Sequence, residues 1–188
     1  MYREPKKYEE YAYVLDYMPH GRPGAPRTTH SAQGALQLLG EEYFTLLEAS
    51  PKPEADYNIR DRIFVGKGDR ALVGHILGRI AYEELTSAAK AELPLVVETV
   101  VKENEQRFID FVNESQSLTP RMHSLELIPG IGKRLMFQIL DLRERYPFES
   151  YEDLRERTSL SDPVKLIARR VLKELSEDEK YYIFTRPV

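Results

Sequence analysis

The stretch Leu125 to Leu140, LELIPGIGKRLMFQIL, constrains the fold more than any other part of the chain. Its first apolar residues predict a short helix ending at Ile128. Pro129 cannot continue that helix, because it lacks an N–H and its ring collides with the preceding turn. Gly130-Ile131-Gly132 then turns the chain tightly. Leu135, Met136, Ile139 and Leu140 follow on one face of a second helix.

This pattern resembles the helix-hairpin-helix motif of nucleic-acid-binding proteins, in which an apolar residue between two glycines plugs the space between the helices. The resemblance makes Ile131 the plug. Glycines at 130 and 132 let the backbone approach a phosphate, and the free N–H groups opening the second helix point at it with the helix dipole behind them. Lys133 and Arg134 add positive charge. Such contacts read the nucleic-acid backbone rather than its base sequence. A β-branched residue at 132 is expected to disfavour the required backbone conformation and to block the phosphate. The competing reading is a hairpin that docks a protein or serves only the architecture.

A weaker copy lies 29 residues on, where Thr158-Ser159-Leu160-Ser161 falls opposite Pro129-Gly130-Ile131-Gly132. Ser150 with Asp153 opens its first helix, and Asp162-Pro163 opens its second as N-cap and first helical residue. The copy has no glycines and gains Asp162, so backbone binding there is not expected. Arg169, Arg170 and Lys173 are placed on its outer face.

Upstream the period is that of strands. Tyr11 to Met18 (YAYVLDYM) reads as a strand, and the following PHGRPGAP as a long loop. Ala35 to Leu39 and Tyr43 to Ala49 read as two strands about a tight turn at Gly40-Glu41, and Asn58 to Val65 as another before the turn Gly66-Lys67-Gly68. From Asp69, taken as an N-cap, apolar spacing predicts a helix over 70–85 and a second from Leu95 to Glu114, with Pro94 in its first turn. Gln116 to Pro120 reads as a linker. The expectation is an α+β chain of two domains: a small OB-like β-barrel over 1–68, a helical connector over 69–116, and an all-α tandem helix-hairpin-helix unit over 117–188.

Composition narrows the function. The 188 residues include no Cys, which removes disulfides, thiolate metal sites and a cysteine nucleophile and accords with a reducing, cytoplasmic setting. MYREPKKYEEY at the start is charged, and no apolar run reaches the ~18 residues of a membrane span. Up to Gln116 there are 14 basic and 19 acidic residues, against 13 and 12 beyond it. From Tyr17 to Gly40 no acid occurs, so Arg22 and Arg27 make that loop locally basic. Tyr2, Tyr8, Tyr11, Tyr13 and Tyr17 could stack bases or pack inside the barrel. His20, His30, His75 and His123 lack the spacing of a metal site, so neither metal nor cofactor is expected. Lys67, in a glycine turn without the spacing of a phosphate loop, is a candidate phosphate contact.

Almost the full chain resembles an uncharacterised archaeal family, domain-of-unknown-function family 655, described as predicted RNA-binding. The resemblance is carried by EEYAYVLDYMPHGRP at 9–23, RDRIFVGKG at 60–68 and LELIPGIGKR at 125–134. It implies an OB-like barrel joined to a helix-hairpin-helix region and an association with RNA, with DNA as the other possible ligand. No catalytic residue is implied. DNA glycosylases pair a similar hairpin with a catalytic Asp at about the distance of Asp153, but SYEDL lacks their V-D-T/S-H context. The expected function is therefore non-catalytic RNA binding through Gly130, Ile131, Gly132, Lys133 and Arg134, aided by Arg22, Arg27 and Lys67. The alternative is an adaptor for ribosomal or transcription proteins.

Overall fold

Alternation along Tyr11–Met18 sets Ala12 and Val14 on one face and Tyr11 and Tyr13 on the other, the period of a strand, and strand β1 spans these eight residues. A computed structural model describes residues 8–21 and 34–186 of the chain. The fold is α+β. β1 is followed by β2 (Ala35–Gly40), β3 (Leu46–Pro51), β4 (Arg62–Phe64) and β5 (Val73–Arg79). These form a curled antiparallel half-barrel in the order β4-β1-β2-β3-β5. Its concave core holds Ala12, Val14, Leu36, Leu38, Leu47, Ala49, Ile63, Val65 and Val73.

β2 is buried on both faces, which leaves Gln37 needing partners for both ends of its amide. Its Nε2 donates to the Glu84 carbonyl (3.0 Å), and its Oε1 accepts from the Thr86 amide (2.8 Å). Thr86 donates its hydroxyl to Asp16 (2.6 Å) and accepts from Ala89 N (3.0 Å). It thereby caps helix α1 (Ser87–Glu103).

Three expectations change here. Residues 73–79, read as part of a helix, form edge strand β5 against β3. Gly74 and Gly78 explain this: each disfavours a helix by about 1 kcal/mol. Gly78 has φ +156°, and a Cβ at Gly74 would lie 2.8 Å from Ser50 Oγ. The second helix also starts earlier than expected, at Ser87, so Pro94 lies inside α1 and a break at Asn104 starts α2 (Glu105–Glu114). The 40–41 turn is longer than read, because the buried Glu9 carboxylate accepts from the amides of Glu42 (2.8 Å), Tyr43 (3.0 Å) and Thr45 (3.1 Å).

The described residues up to Val96, with Thr185 and Arg186, form one compact unit, and Val97–Phe184 form another. In the second unit the expected linker pairs as β6 (Ser117–Thr119) with β7 (Met122–His123). A 3-10 turn (Ser124–Leu127) leads to α3 (Lys133–Arg145), α4 (Tyr151–Arg157) and α5 (Pro163–Ser176). Its core includes Phe108, Ile109, Val112, Leu125, Ile128, Ile139, Ile167 and Val171. No helix among the described residues is long and apolar enough to cross a membrane.

Candidate functional site

The approach to the hairpin is fixed by a local cap. His123 Nδ1 accepts from Leu125 N (3.2 Å), while Glu126 Oε1 accepts from His123 N (2.8 Å). Burial, followed by the Arg143 charge, holds the His123 imidazole below its ordinary range, which keeps Nδ1 an acceptor. The bond from His123 N, followed by Lys133, holds the Glu126 carboxyl below the usual carboxylate range. After Pro129, Ile131 N closes the turn onto Ile128 O (3.1 Å), and Ile131 is only 5% exposed.

The two glycines do different work. Gly130 sits at φ +91°, in the region that favours glycine. Gly132 sits at φ −88°, ψ 178°, which any residue adopts, so the expected conformational penalty at 132 belongs at 130. What distinguishes Gly132 is space: a Cβ there would meet nothing within 4 Å. It is the N-cap of α3, yet it brings no side chain to the helix start, so the first-turn amides, which have no intrahelical acceptor, stay uncapped by it.

The first turn of α3 carries Lys133 and Arg134 and no acid. Cations at the positive end of a helix dipole are unfavourable, by roughly 0.3–1 kcal/mol each. Lys133 relieves part of this by reaching back to Glu126 (3.0 Å) and the Arg121 carbonyl (2.6 Å). Arg134 instead lines a cleft of about 530 Å³ with Gly130, Gly132, Leu135, Gln138 and Ser159. The expected neighbours thus separate: Arg134 serves the cleft, while Lys133 is held by an acid.

Ser159 brings the second turn to the same cleft. There Leu160 is 4% exposed and buried like Ile131. Asp162 caps α5 by accepting from Lys165 N (3.1 Å), so this helix start is already occupied by an anion. Arg170 is not on the outer face. It is buried, bonded to Glu174 (2.8 Å), Glu179 (3.1 Å) and the Tyr181 carbonyl, and Lys173 pairs with Glu179 (2.9 Å). Asp153 accepts from Glu149 N (3.1 Å) and Arg157 (2.9 Å). Sequence reasoning missed Gln138, whose position one turn beyond Arg134 was readable from helical spacing, and Ser159, whose place opposite Gly130 in the repeat pointed to it.

The remaining candidates are dispersed. Arg22 and Arg27, with Tyr2 and His30, lie outside the described residues. Lys67 is exposed, its ammonium 4.7 Å from the Tyr8 ring centre. Tyr13 is buried, Tyr17 packs on the barrel core and on Tyr57 (4.8 Å), and Tyr11 lies edge-on to Phe64 under Arg62. Among the described tyrosines of this set, Tyr8 alone is exposed, at 54%.

Comparison with known proteins matches this architecture throughout its length. A protein of Methanocaldococcus jannaschii, described as "Uncharacterized protein MJ0038", is 44% identical over 185 residues, 97% of this chain and 82% of that protein. The crystal structure of Af1531 from Archaeoglobus fulgidus superposes with a TM-score of 0.84 at 44% identity, covering 95% of this chain and all of that one. That structure is assigned to the same family, whose model matches residues 8–186. With relatives in two archaea and a family match spanning both compact units, the chain belongs to the family described as "Protein of unknown function (DUF655)".

Proposed function

We propose that the protein is a non-catalytic RNA-binding protein that holds a backbone phosphate at the start of α3, in a helix-hairpin-helix arrangement formed by the 3-10 turn, the Gly130–Gly132 turn and α3. One observation carries the reading: α3 begins with an uncapped N-terminus, two cations and an open approach at Gly132. Stability alone favours the opposite arrangement, an acid or hydroxyl at the cap, and α4 and α5 in the same unit have Ser150 and Asp162 there. A phosphate at the amides supplies the missing anion. Arg134 adds a guanidinium to the same cleft.

The sheet supports the same class. It is a curled five-stranded sheet open between β4 and β5, and partly open five-stranded barrels are used by many nucleic-acid binders. RNA is placed ahead of DNA on the family resemblance. A second reading, an adaptor for ribosomal or transcription proteins, is favoured by Phe137 on α3, 59% exposed.

Titrating single-stranded and duplex RNA and DNA at several salt concentrations separates the two. Phosphate binding predicts an affinity that falls steeply with salt as counterions are released. A salt-independent affinity, or no binding to any of the four at low salt, would favour the adaptor.

A further inference from the structure

The half-barrel unit holds a second cleft, of about 680 Å³, that the hairpin reading does not use. The size falls in the ~300–1,000 Å³ range of small-ligand sites. Leu47, Val65 and Ile76 give it an apolar lining, and Tyr8 and Tyr43 contribute aromatic rings. Its cations are Lys67, Arg70, Arg79 and Arg186, and its single carboxylate is Glu9. Both Glu9 oxygens are taken up by the amides of Glu42, Tyr43 and Thr45, and burial pushes its carboxyl above the usual range. A chain of net charge −4 thus gathers four cations around apolar walls against one carboxylate in the lining, with Arg70 already donating to the Val65 and Gly66 carbonyls.

The cations and rings are also paired. Lys67 Nζ lies 4.7 Å from the Tyr8 ring centre, and the Arg186 guanidinium 5.3 Å from that of Tyr43. Arg79 donates to the Arg186 carbonyl (3.1 Å) and so ties that residue to β5. An acidic peptide would engage the charges but leave the apolar walls and rings without a partner. A nucleotide matches both, with a flat base for tyrosine and apolar side chains and a phosphate for the adjacent ammonium or guanidinium.

We infer that this cleft seats bases of a single-stranded RNA, with Tyr8 as a stacking platform and Lys67 and Arg186 as phosphate contacts. The site is independent of the hairpin: it reads base faces and needs an unpaired strand, whereas the α3 site reads the backbone alone.

The test is fluorescence anisotropy of the full chain with a labelled ten-nucleotide oligouridylate and with a blunt RNA duplex. Tyr8→Ala should weaken the ten-mer by about 5- to 150-fold, the range for loss of one base stack, and Tyr8→Phe should bind as the parent does. Replacing Lys67 and Arg186 by Ala should lower the single-strand salt slope by about 0.7 for each. Duplex binding should be unchanged in all of these variants. Uridine monophosphate, as competitor, should displace the ten-mer only at far higher concentration; displacement equal to the ten-mer's, nucleotide for nucleotide, would overturn the inference in favour of a free nucleotide.

Tyr8 is exposed, so its loss leaves the fold intact, which thermal melting verifies. Ten-mer affinity within twofold of the parent in Tyr8→Ala would overturn the inference, as would displacement by oligoglutamate as effective as by oligouridylate. Gly132→Val keeps the two sites separable. If that variant abolishes ten-mer binding and Tyr8→Ala does not weaken it, this site falls and the hairpin stands; the reverse result retires the hairpin and keeps the cleft.

Discussion

Replacing Gly132 by Asp should make the protein more stable and less able to bind RNA. The backbone at 132 already has the extended conformation of an N-cap, and nothing lies within 4 Å of an added Cβ. A carboxylate there can accept from the first-turn amides, as Asp162 does from Lys165 N at α5. A cap of this kind exceeds glycine by a few tenths of a kcal/mol, its charge on the helix dipole adds roughly 0.3–1, and loss of glycine's freedom in the unfolded chain adds about 0.4–1. The expected net gain is about 1–2 kcal/mol, or a rise in Tm of roughly 4–16 °C if the Val97–Phe184 unit melts as an ~90-residue domain. Binding moves the other way. A phosphate about 5 Å from the new carboxylate is repelled by roughly 3 kcal/mol at an effective dielectric of 20, on the order of 150-fold in affinity, and the amides it needs are taken. Calorimetry and RNA titration on one preparation read both effects. A stabilised variant that bound RNA as tightly as the parent would refute the placement of the phosphate, and a destabilised one would refute the description of Gly132 as an open cap.

Arg134→Ala should reduce the salt slope of RNA binding by close to one unit, whereas Lys133→Ala, whose ammonium is held by Glu126 and the Arg121 carbonyl, should reduce it by clearly less; equal effects would show that Lys133 leaves its acid on binding. Because His123 is held below its ordinary range, its contribution to stability is complete above about pH 6.5 and is lost as pH falls through its lowered folded value. His123→Asn, which keeps an acceptor without a titrating ring, should flatten that acid limb in a series of pH-dependent melts, and an unchanged limb would mean that another group controls it. Ile131→Ala should destabilise the protein by roughly 2–5 kcal/mol, measured by denaturant unfolding; a cost below about 1 kcal/mol would mean that Ile131 does not fill a core position.

The features legible in the sequence are those encoded by neighbouring residues. Pro129 and Gly130 marked the turn, Ser150 and Asp162-Pro163 marked helix starts, and alternation at Tyr11–Met18 marked β1. The misread strand at 73–79 shows one limit: its apolar spacing suits a helix as well as an edge strand, and only Gly74 and Gly78 spoke against the helix. The start of α1 shows another, since Thr86 becomes its cap while tied to Asp16, seventy residues earlier. Glu9 is a third case, because nothing near it in sequence announces that its carboxylate will organise the turn at 42–45. At the candidate site, the positions of Lys133 and Arg134 were readable, but the pairing of Lys133 with Glu126 depends on how the 3-10 turn folds back. Arg170 and Glu174 fall with Ile167 and Val171 at i, i+3, i+4 and i+7, so their burial was visible in the period; their charge pointed the other way, and their mutual ion pair reconciles the two.

In the proposed mode of binding, RNA phosphate meets the backbone amides at the start of α3. Amide-resolved NMR of the ¹⁵N-labelled chain, titrated with a short RNA at low salt, observes those groups directly. The largest shifts should fall at the amides of Lys133, Arg134 and Leu135, all collapsing when salt is raised or when Gly132 is replaced by Asp. Saturable RNA binding that left those three amides unmoved would contradict this mode of binding.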